Sequence, residues 1–207
     1  MKKTIAIVAA AALAATSAFA QDFSVGAGYL NSVSTAKYAE TVNKTVSNGF
    51  YAGAGVEKEI NDIASVSTGV YYSFITFYSA ASVIIANAQS RTNEHYVNVP
   101  VHLNLGYELS GGMRLFAYAG PTVNIGLISK TKADASVVLF PVASTEYDNY
   151  ADGSEYGRFD VMLGGGAGIQ FQNMKVYGGY NYGLIDRNSG ATNLHRSEIV
   201  AGVAFAF

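Results

Sequence analysis

From Phe23 to the last residue, Phe207, apolar side chains recur at every second position and almost nowhere at helical spacing. A period of two belongs to a strand whose two faces meet different surroundings, so the chain reads as sheet throughout. Eight segments carry the pattern. The clearest sets Val97, Val99, Val101, Leu103 and Leu105 against Asn98, Pro100, His102 and Asn104. Phe159, Val161, Leu163, Ala167, Ile169 and Phe171 oppose Arg158, Asp160, Met162, Gly164, Gly166, Gly168 and Gln170. The chain ends with Ile199, Ala201, Val203, Phe205 and Phe207 against Glu198, Val200, Gly202, Ala204 and Ala206. Five further segments, around Phe23–Tyr29, Phe50–Glu57, Ser65–Tyr72, Arg114–Asn124 and Lys175–Leu184, behave in the same way.

The connections alternate in length. Long polar stretches follow segments one, three, five and seven (about 31–48, 77–94, 129–157 and 186–195), and tight turns follow two, four and six (59–62, 108–112 and 172–173). The ionisable residues Glu57, His102, Arg114, Arg158, Asp160, Lys175 and Glu198 all fall on the face opposite the apolar row. A soluble sandwich would keep its apolar face inside and its charges outside. Here one face is free of charge and the other holds polar groups, tyrosines and glycines. The fold class expected is therefore all-β: an eight-stranded antiparallel up-and-down transmembrane barrel, with long outer loops, short periplasmic turns and both ends periplasmic. The uncharged stretch from Ile63 to Ser90 is long enough for a membrane helix. Its first half keeps the strand alternation, however, and a helix would break the count of eight. It is expected to be a third strand that continues into an apolar second loop.

The start of the chain follows a different rule. Lys2 and Lys3 precede an alanine-rich apolar run, and Ala18-Phe19-Ala20 supplies a small-x-small cleavage pattern. Residues 1–20 are expected to be a secretory signal peptide and residues 21–207 the outer-membrane β-barrel domain. Lys plus Arg number 13 against 15 Asp plus Glu. Removing the signal leaves 11 against 15, so no basic patch is available and no nucleic acid is expected as partner. With no cysteine in the chain, thiolate metal sites, iron–sulfur clusters and cysteine nucleophiles are excluded.

The glycine runs Gly164-Gly-Gly-Ala-Gly168 and Gly53-Ala-Gly55 lack the following helix that a phosphate cradle needs. They are expected to make room inside a narrow barrel for Tyr51, Tyr71, Tyr118 and Tyr177. Eight strands enclose a lumen that side chains fill, so the inward charges are expected to pair with one another and with tyrosine hydroxyls. His95 and His195 lie near the outer rim without a recognised spacing to a serine and an acid, and His102 is expected to hydrogen-bond an asparagine in the lumen. No two-histidine metal spacing occurs. No catalytic, cofactor-binding or metal-binding residue is therefore assigned, and no cofactor is expected. Pro100 is anomalous in a strand that has no edge to hide a missing donor.

Tyr96-Val-Asn-Val-Pro-Val-His-Leu103, Ala119-Gly-Pro121, Arg158 through Gly168, and Tyr180-Asn-Tyr-Gly-Leu184 resemble, in order, the small outer-membrane β-barrel family common in Bacteroidota, the PorT-like "outer membrane protein beta-barrel domain". The chain is also similar to the eight-stranded barrels of the OmpA and OmpX class. The resemblance covers essentially the whole mature chain, and the place of Pro100 in its pattern implies a bulge in the fourth strand. It implies an eight-stranded barrel in the cell outer membrane of Gram-negative bacteria, in a family also labelled porin, and usually without an assigned role. Some relatives serve secretion or gliding, and no residue pattern places this chain among them.

Outer-membrane lipid is one expected partner. Phe207, with Phe205 and Val203 on the same face, resembles the terminal signal read by barrel-assembly machinery. The longest loop, Ser129–Gly157, mixes apolar residues with Tyr147, Tyr150 and Tyr156, a composition suited to a surface partner. The expected function is a non-enzymatic structural or surface-interaction role through the outer loops, with a filled lumen. The alternatives are a narrow channel and a lipid-modifying enzyme with its cluster near His95 or His195.

Overall fold

The computed structural model describes residues 22–83, 86–109, 111–137, 140–190 and 192–207. The expected signal segment, and Val138 and Leu139 of the longest loop, lie outside the described residues. Nine antiparallel strands follow in chain order: β1 (Asp22–Tyr38), β2 (Thr41–Glu59), β3 (Ala64–Val83), β4 (Ala86–Leu109), β5 (Met113–Val137), β6 (Phe140–Asp148), β7 (Phe159–Phe171), β8 (Met174–Gly183) and β9 (Asn193–Ala206). All but β6 form a closed ring. β1 pairs β9 from Ser24↔Ala206 to Lys37↔Asn193, and β4 pairs β5 along nearly its whole length. β6 pairs only with the upper part of β5, from Lys130↔Asp148 to Val137↔Phe140. The same edge of β5 lower down pairs β7, from Ile125↔Phe159 to Met113↔Phe171.

The eight expected strands are present with the expected facing. Phe23, Val25, Tyr29, Phe50, Val101, Leu103, Leu105, Leu163, Ile169, Val203 and Phe205 are all about half exposed on the outside. Water would not tolerate so continuous an apolar belt on a monomer, whereas lipid requires it. Phe159 and Phe171 mark the two aromatic borders of this belt on β7. Twelve residue steps between them, at about 3.3 Å each and a tilt near 40°, cover about 30 Å, the scale of the bilayer's apolar layer.

The expected long loops proved to be mostly strand. Segment one was expected to end near residue 31, yet β1 continues to Tyr38 and returns through a turn at Ala39, which has positive φ. β3 and β4 likewise extend to Val83 and back from Ala86, so the first half of the uncharged stretch is the expected strand and its described remainder is also strand where an apolar loop was expected; no described helix is long and apolar enough to cross a membrane. Beyond the bilayer the faces of these hairpins mix apolar and polar residues, as with Val42, Lys44 and Val46 on β2 or Tyr78, Ser79 and Ala80 on β3, so the alternation that marks a strand fades although the hydrogen-bonded ladder continues.

The bulge expected at Pro100 lies elsewhere. The β4–β5 register shifts between His95 and Tyr96, which pair with Ile128 and Gly126 and leave Leu127 as the extra residue. At Pro100 the register is kept while the ladder opens, skipping from Pro100↔Thr122 to Leu103↔Ala119 on one side and from Thr68↔Val101 to Tyr71↔Asn98 on the other. Proline has no N–H, and Pro121 stands on the facing strand. Two missing donors interrupt the ladder without inserting a residue. The Thr68 hydroxyl donates to the Pro100 carbonyl at 2.7 Å.

Inside the ring the glycines make room for tyrosines. A Cβ on Gly202 would lie 2.1 Å from the Tyr51 hydroxyl, and one on Gly179 would lie 2.3 Å from that of Tyr118. Leu30, Tyr51, Ile75 and Tyr96 form the buried core, with Tyr71, Tyr177 and Val200 packed against them.

A charge on the lipid-facing row tests this arrangement. Val101→Arg or Leu163→Arg is expected to destabilise the refolded barrel by about 2–4 kcal/mol if these positions lie near the bilayer midplane, read from urea titrations in liposomes. Unchanged stability in both variants would show the facing to be wrong.

Candidate functional site

The lumen is built in layers. At the end that carries the short turns Arg114 approaches Glu108 at 3.6 Å and Glu59 at 3.8 Å and donates weakly to the carbonyls of Asp62 and Ile63. Above it Lys175 from β8 pairs with Glu57 from β2, and Ser65 donates to the same carboxylate. The middle is aromatic. The Tyr51 hydroxyl donates to that of Tyr177 at 3.0 Å, and the Tyr118 ring meets Tyr177 edge-on. A cavity of about 160 Å³ occupies this level, lined by Tyr71, Asn98, His102, Phe116 and Asn181 among others.

His102 does not bond an asparagine as expected. Its Nε2 lies 3.5 Å from the Thr122 hydroxyl and its ring lies against Tyr118. The amide of the neighbouring Asn104 is taken by Ser65 and Ser67. The cross-strand position opposite His102 is Ser67, so the inward serines on β3 capture the amide instead.

The outer mouth is closed by a charged cluster centred on Glu94 of β4. One Glu94 oxygen accepts from Arg187 at 2.6 Å and from the Tyr150 hydroxyl at 2.7 Å, and the other accepts from Arg196 at 3.2 Å. Arg196 also approaches Glu198 at 3.3 Å, and Tyr96 donates to Glu198 at 2.9 Å. Arg196 stacks over Tyr96 and Arg187 over Tyr156. The four charged members are each no more than 5% exposed. Isolated charges could not persist there, and this degree of pairing is what permits them. Asp160 and Asn124 face one another across β5 and β7 in the same region, both buried.

Three of these groups come from two outer loops. Tyr150 and Tyr156 stand in the segment between β6 and β7, and Arg187 in the segment between β8 and β9. Gly157 N–H donates to the Arg187 carbonyl at 2.6 Å, and Ser189 N–H to that of Glu155 at 2.9 Å. Arg158 donates to the carbonyls of Tyr150 and Leu127. The cluster thus fastens both loops to each other and to the barrel wall.

Of the seven inward ionisable residues expected from the sequence, all lie on the inner face. Glu57 and Lys175 pair, and Glu198 joins the outer cluster. Arg114 serves the mouth at the short-turn end. Glu94, Arg187 and Arg196 were missed. Glu94 and Arg196 continue the inward rows of Tyr96 and Glu198 by one step, so extending the alternation into the presumed loops finds them. Arg187 and Tyr150 have no local signal.

The rim histidines face outward. The Tyr72 hydroxyl meets His95 Nδ1 at 2.5 Å, and the Phe74 ring lies 4.9 Å away. His195 Nδ1 approaches the Gly183 carbonyl at 3.3 Å and its ring stacks on Tyr182. Neither hydrogen-bonds a carboxylate among the described residues. Nor does any described group of three or more acidic or histidine residues form a metal set.

A closed ring of eight strands with an apolar belt and a filled polar lumen defines an outer-membrane β-barrel. The chain belongs to the family of the outer membrane protein beta-barrel domain, whose model matches residues 16–187. Among solved structures it is similar to Neisserial surface protein A, at 18% identity and TM-score 0.45, covering 89% of this chain and 97% of that one. It is similar to Ail, the attachment invasion locus protein of Yersinia pestis, in complex with the heparin analogue sucrose octasulfate, at 17% identity and TM-score 0.41, covering 90% and 98%. The outer membrane enzyme PagL matches at 11% identity and TM-score 0.33, covering 85% and 98%. No curated protein matches the chain.

Removing the acid at the centre of the cluster leaves two buried guanidinium groups short of counter-charge. Glu94→Gln is expected to cost about 3–5 kcal/mol in urea titrations, and Tyr150→Phe about 1.5–3 kcal/mol for one bond to a charged group. Wild-type stability in Glu94→Gln would refute the central role.

Outside the bilayer, Asp186 accepts the Leu194 and Asn188 N–H groups at 2.8 and 2.9 Å. The Leu194 amide first, then that of Asn188 and the nearby His195, hold its pKa below the ordinary carboxylate value. The folded loop therefore favours the ionised form. Its contribution is complete above the unfolded value near 3.9 and is lost as pH falls through the depressed folded value. Amide exchange at Leu194 and Asn188, corrected for intrinsic rates, is expected to accelerate across that acid window in the wild type. In Asp186→Asn the acceleration should be absent.

Proposed function

We propose that the protein is a structural or surface-interaction barrel of the outer membrane, with a plugged lumen and outer hairpins that contact a partner. One observation carries the reading: Glu94 locks the loop bearing Tyr150 and the loop bearing Arg187 over the mouth. A barrel closed in this way presents a rigid outer platform, and rigid scaffolds with projecting loops are where binding residues concentrate. The β5–β6 hairpin supplies contact surface through the exposed Tyr147 and the Lys130–Glu146 pair at 2.9 Å. The outward rim histidines, held against aromatic rings, support a role without catalysis. The narrow channel remains the second reading because the cavity of about 160 Å³ lies directly beneath the plug.

The proposal includes export through a cleaved signal at residues 1–20 and recognition of Phe207 by barrel-assembly machinery. Phe205 and Phe207 support the latter, both facing outward with ring centroids 5.3 Å apart.

Thr131 and Tyr147 are cross-strand partners, so residues 132–146 can be replaced by a short turn, with Lys130→Ser and Tyr147→Ser added, and the Glu94 cluster stays in place. Partners captured by the intact protein from outer-membrane and host-surface extracts should be lost from the shortened one. Unchanged partners overturn the reading. A change in outer-membrane lipid composition abolished by His95→Ala or His195→Ala would establish the enzyme instead, and stable conductance of the wild type in planar bilayers would establish the channel.

A further inference from the structure

The ring is closed within the membrane but opens above it. β2 and β3 pair from Glu59↔Ser65 up to Asn48↔Thr76 and no further. Beyond that point β2 continues to Thr41, held only by β1, and β3 continues to Val83, held only by β4. Among the described residues neither Thr41–Ser47 nor Phe77–Val83 has a ladder partner on the side of this notch. With the free side of β6, three strand edges stand open outside the membrane among the described residues.

Exposed edges invite pairing, and proteins blunt them with charge, proline or irregular register. β6 carries Pro141, Glu146 and Asp148, and its pairing with β5 shifts register between Ala135 and Val137. β2 carries Lys44 at the middle of its free edge. β3 from Phe77 to Val83 has no charge, no proline and no register shift against β4. Tyr78, Ser79 and Ala80 are exposed there. Of three edges in one molecule, two are protected and this one is not.

We propose that the free edge of β3, Phe77–Val83, accepts an extended segment of a partner polypeptide as an added strand, with β-branched residues alternating with acidic ones. The inference rests on the surface-interaction reading above and names the kind of partner. Main-chain hydrogen bonds along the edge supply the affinity of such an addition, and alternate side chains supply the selectivity. β-Branched residues suit the pleated surface. Continuing the β2–β3 register beyond Asn48↔Thr76 places Lys44 at the level of Ala80, so a strand in the notch has Lys44 beside its outward side chains, where an acidic residue is favoured.

A second copy of this chain does not fit. Two copies in one membrane share an outward direction, so a two-fold axis relating them runs along the membrane normal. Strands tilted about 35–45° from that axis then cross at about 70–90° instead of lying side by side. A strand from a different chain has no such restriction.

The test uses the full-length protein in nanodiscs and a synthetic peptide that alternates valine and glutamate. Two further peptides carry backbone N-methyl groups on alternate residues, one in each phase, and a fourth replaces glutamate with lysine. The parent peptide is expected to bind and to slow amide exchange at Phe77–Val83. N-methylation in one phase should weaken binding by about tenfold or more while the other phase binds like the parent, because only one set of N–H groups faces β3. The lysine peptide should bind more weakly, and Lys44→Glu should reverse that preference. Ser79→Pro is a supporting variant, and the peptide series does not depend on its folding. No protection of Phe77–Val83 by the parent peptide, or equal binding by both N-methyl phases, overturns the proposal. So does an edge already protected without peptide, which would indicate pairing between copies. If the peptide fails while the β5–β6 hairpin still governs partner capture, the edge proposal falls and the surface-interaction reading stands.

Discussion

Backbone hydrogen bonding inside a medium without water is the constraint from which the rest of the structure follows. Each N–H and C=O within the apolar layer needs a partner in the protein, and strands meet that need only when the sheet closes on itself. Here closure runs through the long β1–β9 and β4–β5 ladders. Once eight strands close, the diameter is set, and with it a lumen only wide enough for side chains. The glycines opposite Tyr51 and Tyr118 follow from that diameter, since a Cβ at Gly202 or Gly179 would occupy the space of a hydroxyl. So does the pairing of Lys175 with Glu57, because a narrow lumen offers charged groups few other partners.

The outer cluster shows a different use of the same space. Replacing a buried ion pair with well-packed apolar residues is often neutral or stabilising, whereas removing one partner is costly. Glu94 and its arginines are therefore weak evidence of stability in themselves. Their effect is positional. Tyr150 lies 56 residues after Glu94, Arg187 93 and Arg196 102. One carboxylate thus gathers two outer loops and a strand onto the wall of β4. An apolar plug could fill the mouth, but it would not fix which loop residue sits where.

Much of this was legible in the sequence, and what was missed follows a physical pattern. The outward rows were readable because lipid demands an unbroken apolar face, as at Val97 to Leu105. The ends of the strands were not, because above the bilayer the outward positions become polar, as at Asn93 and His95 on β4 or His195 and Ser197 on β9. The contrast between faces disappears there while the ladder persists. Glu94 and Arg196 lie just past that loss of contrast. Arg187 and Tyr150 sit in irregular segments and are brought to Glu94 by long-range closure, for which no local period exists. At Pro100 the missing donor was foreseen, but its consequence depends on Pro121 of the facing strand, a neighbour set by the fold.

The constraint that closes the ring also explains where it opens. Within the membrane an unpaired edge has nothing to bond with, so β2 and β3 stay joined as far as Asn48 and Thr76. Above that level water can satisfy both edges, and the hairpins can separate without an unmet N–H or C=O. β6 can exist only there, since it borrows the side of β5 that lower down is occupied by β7. Freedom of the sheet to branch and part is therefore confined to the part of the molecule outside the bilayer. An edge that water satisfies remains available to another strand, because exchanging water for a peptide keeps each backbone group bonded. The buried half of this barrel is fixed by hydrogen-bond completeness, and its capacity for recognition lies where completeness is supplied by solvent.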